Sequence, residues 1–408
     1  MNYLALLPRI VFPADTGAKI RNLNMFSRLS QAGDTCTIVC YRSPEDKDED
    51  VERMRSICTR LELVQWEEAV TFSARSYVAA LANLFSPYPY AVQKYLTPQF
   101  QSRVESLIRN GSFDAIVIDT AQLSLLAGAE RRALPIICFE HNVEYVVRQR
   151  QYEAARNPLL KAFFYYDYRR MKRFERRLGQ RADHLIMVSD KDRETMSAIG
   201  VNNTSAVPLG VDTEFFSPAG PGGPALRTDA LCFTGSMDWL PNDDGIRWFL
   251  REVLPLIQAN GPVSLSVVGR APAPDLARMA AGIPGIEVTG RVPDVRPYVA
   301  NAAVYIVPLR IGGGTRIKIF EAMAMGKAVV STTTGAEGLP VTHGDNIVLA
   351  DEAETFAREV VSLLNDPAKA QAIGNRARTL VQERYSWTAA ASVFADTCRQ
   401  AVERRRAS

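Results

Sequence analysis

Thirteen short apolar runs, each of four to seven residues, recur along a chain of 408 residues. They are Tyr3–Leu7, Thr35–Tyr41, Leu61–Trp66, Ala115–Asp119, Pro135–Glu140, His184–Ser189, Ala206–Leu209, Ala230–Gly235, Val263–Gly269, Ile286–Gly290, Ala303–Leu309, Ala328–Thr332 and Asn346–Ala350. The runs are rich in Val and Ile and show little polar alternation. A strand of that kind is buried on both faces, as in a parallel sheet. A sheet with one wet face would alternate apolar and polar residues. Helical stretches between the runs supply right-handed crossovers, so the chain reads as α/β with doubly wound parallel sheets.

The length exceeds one ordinary domain. The cluster Pro218-Ala-Gly-Pro-Gly-Gly-Pro224 has no apolar periodicity and reads as a linker. We expect an N-terminal Rossmann-like domain over 1–212 and a C-terminal one over 213–387, with the terminal helix 388–408 packing back on the first. Two facing domains of this class leave an interdomain cleft, and their ligands bind beyond the carboxyl ends of the strands. Hydrophobic residues at 47% and charged residues at 23% exclude wholesale disorder. A net charge of +3 excludes a general nucleic-acid coat. Six Cys with no CxxC spacing read as buried reduced thiols, not a disulfide framework. No apolar run approaches the ~18–20 residues of a membrane span. The start, MNYLALLPRIVFPADTG, reads as a first strand and loop rather than a signal peptide. The expected location is cytoplasmic, with membrane contact only from the surface.

The most informative stretch is Pro308-Leu-Arg-Ile-Gly-Gly-Gly-Thr-Arg-Ile-Lys-Ile-Phe-Glu321. It follows a buried run and opens a helix. Gly312, Gly313 and Gly314 let backbone amides approach a ligand, and a helix start favours an anion. Arg316 and Lys318 fall in the first helical turn, where cations oppose the dipole at about 0.3–1 kcal/mol each. A bound phosphate or diphosphate reverses that sign, and Arg310 can add to it from the strand end. Glu321 lies one turn further in. It accepts hydrogen bonds from a vicinal ribose diol, or is an exposed helix carboxylate, or pairs with Arg316 or Lys318. Neither a dinucleotide fingerprint nor a P-loop is complete: Ile317 stands where the third glycine would be, and Ala328 follows Gly326-Lys327.

GGGTRIKIFEAMAMGKAVVST followed by TGAEGL resembles the donor-binding region of retaining glycosyltransferase family 4, in its GGGTR-type branch. Further blocks agree in order: Phe12-Pro-Ala-Asp-Thr-Gly17, ADHLIMVSDKD (Ala182–Asp192), VPLGVDTEFFSP (Val207–Pro218) and Tyr385-Ser-Trp387. The resemblance implies two Rossmann-like domains in the GT-B fold. It implies transfer of a sugar from a nucleoside-diphosphate sugar to a glycan or lipid-linked acceptor, with retention at the anomeric carbon. Cell-surface polysaccharide or glycolipid assembly is the implied setting. Donor and phosphate binding then falls to Gly17, Gly312, Gly313, Gly314, Thr315, Arg316, Lys318 and Glu321. His141, after a buried run, matches the family's histidine near the reacting sugar; Arg316 and Glu321 complete the expected catalytic set. Lys19 and Arg21 place further cations at the helix start after Gly17.

The sequence departs from the family's Glu-x7-Glu: Glu321 matches the second Glu, and Gly313 stands at the first. The usual Arg and Lys after the first C-terminal strand are replaced by Gly235-Ser-Met-Asp-Trp-Leu-Pro-Asn242. Gly235, Asp238, Asn242, Arg291 and Val292 become candidates for donor-sugar or base contacts. No metal or cofactor is expected, because Asp46-Lys-Asp48 lies in a charge run and Asp190-Lys-Asp192 follows an N-cap. The Gly313 replacement keeps open a non-catalytic nucleotide-sugar-binding scaffold, and the fold a sugar-nucleotide epimerase.

The segment Arg148–Arg181 carries 11 Lys+Arg and 3 Asp+Glu, a local +8 that leaves −5 for the remainder. Within it Leu160, Phe164, Met171, Phe174 and Leu178 fall near one helical stripe. Arg169, Arg170, Lys172, Arg173, Arg176 and Arg177 cover the rest, beside several aromatics. The segment suits either an anionic membrane or acceptor surface, or a docked helix with a solvated basic face.

Overall fold

A computed structural model describes residues 1–14, 16–66, 83, 86–127, 134–155, 157–207, 209–218, 227–311 and 317–407. The chain divides into two compact units: Met1–Pro208 with Ala390–Ser408, and Leu209–Ala389.

The first unit holds a seven-stranded parallel sheet in the order β3-β2-β1-β4-β5-β6-β7. Its strands are β1 (Asn2–Leu7), β2 (Thr35–Arg42), β3 (Arg60–Gln65), β4 (Ala115–Asp119), β5 (Ile136–Phe139), β6 (His184–Met187) and β7 (Thr204–Ala206). β4 and β5 are buried along their whole length, as their unbroken apolar runs require. The last strand sits earlier than the run Ala206–Leu209 suggested. Val207 still donates to the Met187 carbonyl at 2.9 Å, but its own carbonyl accepts from the Arg21 guanidinium, and the ladder ends there. The helix Trp387–Ala407 runs into this unit, with Phe394 against Phe139 at 5.1 Å between centroids. Its last turn is fixed by Arg405 on Asp183 and Arg406 on Asp114, each at 3.2 Å.

The second unit holds a six-stranded parallel sheet in the order β10-β9-β8-β11-β12-β13. Its strands are β8 (Arg227–Thr234), β9 (Ser264–Val268), β10 (Ile286–Gly290), β11 (Ala302–Val307), β12 (Ala328–Ser331) and β13 (Val348–Leu349). In both units the chain winds outward from a central strand and then returns to its other side. The reversal points are β1/β4 and β8/β11, where adjacent connections leave on opposite faces and a crevice opens at the carboxyl ends. All six cysteines are free, and all but the half-buried Cys58 are buried. Among the described residues no helix is long and apolar enough to cross a membrane.

Candidate active site

In the second unit three glycines stand at the carboxyl ends of the strands beside the reversal point. Gly235, Gly269 and Gly290 close the ends of β8, β9 and β10. The Gly235 amide donates to the Val268 carbonyl at 2.9 Å, and the Gly269 amide to the Gly290 carbonyl at 3.2 Å. A Cβ on Gly269 would lie 1.8 Å from the Gly235 carbonyl oxygen, so only glycine permits this approach. Gly269 and its neighbour Arg270 also stand at this end of the sheet and were passed over in the sequence; the signal was a Gly directly after the β9 run.

Lys318, in the helix Ile317–Ala324, donates to the Asn242 Oδ1 at 2.8 Å and lies 4.2 Å from the centroid of the Phe233 ring. Asn242 is buried, and its Nδ2 donates to the Ser236 carbonyl at 2.7 Å. A Cβ on Gly235 would meet the Lys318 Nζ at 2.5 Å and the Asn242 Nδ2 at 2.7 Å. Asn242 is therefore committed at both ends of its amide and serves to hold Lys318. Asp238, the other proposed sugar contact, pairs with Arg270 at 3.4 Å and is exposed. Arg310 is bound bidentately to Asp244 at 2.8 and 3.1 Å, so its charge is already met. Half-buried Lys327 donates to the carbonyls of Ala300 and Ala302 at 2.6 and 2.8 Å. It is a structural tie, as the incomplete P-loop pattern implied.

Glu321 is partly buried in the same helix, and burial pushes its carboxyl up to about 7, against the opposing pull of Lys318. The exposed helix carboxylate is thereby removed, and the ribose-diol and ion-pair readings both stand. Gly312, Gly313, Gly314, Thr315 and Arg316 lie outside the described residues. The loop leading to them is braced by Thr332, whose Oγ1 donates to the Leu309 carbonyl and accepts from the Gly335 amide at 2.8 Å. Arg291 is exposed and Val292 half-buried, just past the end of β10.

In the first unit, His141 follows the carboxyl end of β5. Its Nε2 lies 2.5 Å from Asp119 Oδ1, at the end of the neighbouring β4. The second Asp119 oxygen accepts from Asn22 Nδ2 at 2.7 Å. A carboxylate only accepts, so Nε2 carries the proton and Nδ1 is the nitrogen left for a ligand. Thr120, next to Asp119, has φ of 77°, a conformation that costs a non-glycine residue about 1–2 kcal/mol. Sequence reading missed Asp119, since its partner stands on another strand.

Arg21 does not present its charge at the helix start. It is fully buried, donates to the carbonyls of Glu140 and Val207 at 2.9 Å each, and stacks 3.7 Å over Phe139. Burial lowers it to about 9 despite nearby Asp119 and Glu140. Glu140 is itself buried, pushed up to about 7, and accepts from the Cys138 thiol at 2.9 Å. Glu175 accepts from the amides of Glu144 and Tyr145 and so closes the start of the helix Glu144–Ala154. A Cβ on Gly17 meets nothing within 4 Å, so packing in this unit does not require glycine there.

The basic helix Pro158–Arg181 is docked through Met171, Phe174 and Leu178, which are buried. Leu160 departs from the expected stripe and is 53% exposed, and Phe164 is only half-buried. Arg170 is not a surface cation. It is buried, with Nη1 on Asn83 Oδ1 at 3.0 Å and Nη2 on the Ser86 carbonyl at 2.6 Å. Lys172 is half-buried beside the Tyr145 ring, whereas Arg169, Arg173, Arg176 and Arg177 are exposed.

Two family models cover most of the chain: Glycosyltransferase Family 4 over residues 16–215, and Glycosyl transferases group 1 over residues 228–366. The chain belongs to glycosyltransferase family 4. This glycosyltransferase is 22% identical to an uncharacterized 44.6 kDa protein in the cps region of Klebsiella pneumoniae, covering 92% of this chain and 94% of that one. It is 28% identical to the lipopolysaccharide core biosynthesis mannosyltransferase LpcC of Rhizobium leguminosarum, over 59% and 70% of the two chains. It is 31% identical to the phosphatidyl-myo-inositol mannosyltransferase of Mycolicibacterium smegmatis, over 50% and 53%. Among solved structures it matches a glycosyltransferase of Rickettsia africae with a TM-score of 0.65 at 12% identity, covering 98% of both chains. It matches Anabaena Alr3699/HepE, solved with UDP and glucose, with a TM-score of 0.62 at 15% identity, covering 98% of this chain and all of the other. The two-sheet architecture of this glycosyltransferase is thus the GT-B fold.

Proposed function

We propose that this glycosyltransferase moves a hexosyl group from a nucleoside-diphosphate sugar to a glycan or lipid-linked acceptor of the cell surface, with retention at the anomeric carbon. The observation that carries the donor assignment is the held cation at β8/β11: Lys318 fixed by Asn242 and Phe233, one helical turn from the partly buried carboxyl of Glu321. A diphosphate suits the cation, and a ribose diol suits a carboxyl that burial has left short of solvation. The names of the mannosyltransferase relatives support a mannosyl donor as the first to test.

In this reading Lys318, Arg316 and the amides of Gly312, Gly313 and Gly314 neutralise the leaving diphosphate, with no metal required. Gly17 lets backbone amides of the first unit approach the donor without a side chain in the way. His141 offers Nδ1 to a hydroxyl of the reacting sugar. The C1–O bond to phosphate breaks as the acceptor oxygen bonds to C1 on the same face. The acceptor's proton passes to the departing phosphate oxygen.

Nucleoside-diphosphate release from GDP-mannose, UDP-glucose, ADP-glucose and TDP-glucose, with and without glycan acceptors, tests the proposal. Turnover with one donor is expected to persist in EDTA and to be abolished by Arg316→Ala. Binding without turnover across all donors and acceptors would instead favour a nucleotide-sugar-binding scaffold. Wild-type turnover in Arg316→Ala would refute the phosphate assignment.

A further inference from the structure

A cavity of about 200 Å³ lies in the first unit, at the end of the sheet opposite His141. Ile136, the first residue of β5, and Ala182, just ahead of β6, line it, whereas His141 follows the last residue of β5. The pocket is therefore not part of the reversal-point site.

Three arginines form one wall: Arg173, Arg177 and Arg181, spaced by four residues on the helix Pro158–Arg181. Among the described residues none of the three makes a hydrogen bond or ion pair, and all are exposed. Arg170, one turn earlier, is different. Its guanidinium is spent on Asn83, Ser86 and Tyr88, and so it fixes the segment that forms the facing wall. Like charges four residues apart on a helix repel. Two such pairs stand here without an acid: no Asp or Glu is among the described residues that line the cavity. The floor is apolar, made by Phe174, Leu178 and Ile136, each 6–8% exposed. A row of unpaired guanidiniums beside an apolar floor matches an anionic head on an apolar arm. Guanidiniums bind phosphate oxygens bidentately, which a carboxylate's two oxygens satisfy less fully across three arginines.

We propose that this pocket binds a phosphate or diphosphate ester whose attached group is apolar, at a site separate from the donor site. The apolar arm lies on Phe174 and Leu178 while the head group engages Arg173, Arg177 and Arg181. Such an ester can be a small soluble molecule or the headgroup end of a bilayer lipid, and the two sources are separable by experiment.

Isothermal titration of the full chain with geranyl diphosphate and with inorganic diphosphate provides the first arm. Geranyl diphosphate should bind more than tenfold tighter than inorganic diphosphate. The triple variant Arg173→Gln/Arg177→Gln/Arg181→Gln should weaken it more than tenfold without lowering the thermal midpoint or donor turnover. Arg316→Ala should leave this binding intact. Co-sedimentation with phosphatidylglycerol vesicles provides the second arm. Loss of sedimentation in the triple variant identifies a bilayer source, and unchanged sedimentation with lost geranyl diphosphate binding identifies a soluble ester. Geranyl diphosphate binding that survives the triple substitution, or that disappears in Arg316→Ala instead, overturns the proposal without touching the donor assignment.

Discussion

Replacing Glu321 with Gln should make the second unit more stable and donor use weaker, and the stability gain should depend on pH. The carboxyl has a folded pKa of about 7 against an ordinary value of 4.5, because burial disfavours its charged form more than Lys318 favours it. The folded state therefore holds this proton more tightly than the unfolded state. Stability is lost as pH rises from 4.5 through 7, and the loss is complete above that range. A displacement of this size corresponds to about 3 kcal/mol at pH 8, of which under about 1 is already present at pH 5. Gln keeps the shape and cannot ionise. The gain of Glu321→Gln over wild type should then be larger at pH 8 than at pH 5 by about 2–3 kcal/mol, or roughly 5–10 °C for a unit of this size. Chemical denaturation of both proteins at the two pH values measures that difference directly. Any constant effect of the amide cancels between pH values. The same substitution removes a charged acceptor for the ribose diol. Each lost charge-assisted hydrogen bond costs about 1.5–3 kcal/mol, so the donor KM should rise about tenfold or more. An equal stability difference at pH 5 and pH 8 would refute the argument that Glu321 is held against its charge.

Asp119→Asn should leave the fold intact and lower kcat/KM about 10- to 100-fold, because His141 loses the acceptor that fixes its proton on Nε2. Nitrogen-15 spectra of the imidazole should show the Nε2–H form in wild type and a mixture in the variant; an unchanged tautomer would rule out the positioning role. Arg21→Met should cost about 2–4 kcal/mol by urea denaturation, since it strips the buried carbonyls of Glu140 and Val207 of their donors. A stability within about 0.5 kcal/mol of wild type would show that those carbonyls find other partners.

The two sites differed in how far they could be read from the chain. Glycines followed by cations at a helix start are consecutive residues, so the loop from Gly312 to Lys318 could be assigned a ligand chemistry without knowing any neighbour. Its supports could not. Asn242 reaches Lys318 across 76 positions, and Asp119 reaches His141 across 22. Arg21, Arg170 and Arg310 all looked like available cations. Arg21 and Arg170 are instead bound inward, because buried charge persists only where partners meet it, and the exposed Arg310 is matched by Asp244.

The sequence by itself determined the class of fold, because strands buried on both faces, such as β4 and β5, leave unbroken apolar runs between helical stretches. It also marked the start of the helix after Gly314 as a candidate anion site. Only the tertiary structure decided which side chains confront one another there. Reversal of strand order brings β4 against β1 in one unit and β11 against β8 in the other, so within each unit residues far apart in the chain become neighbours at the carboxyl ends of its strands. Their charges are then settled by who stands opposite, which local pattern does not encode.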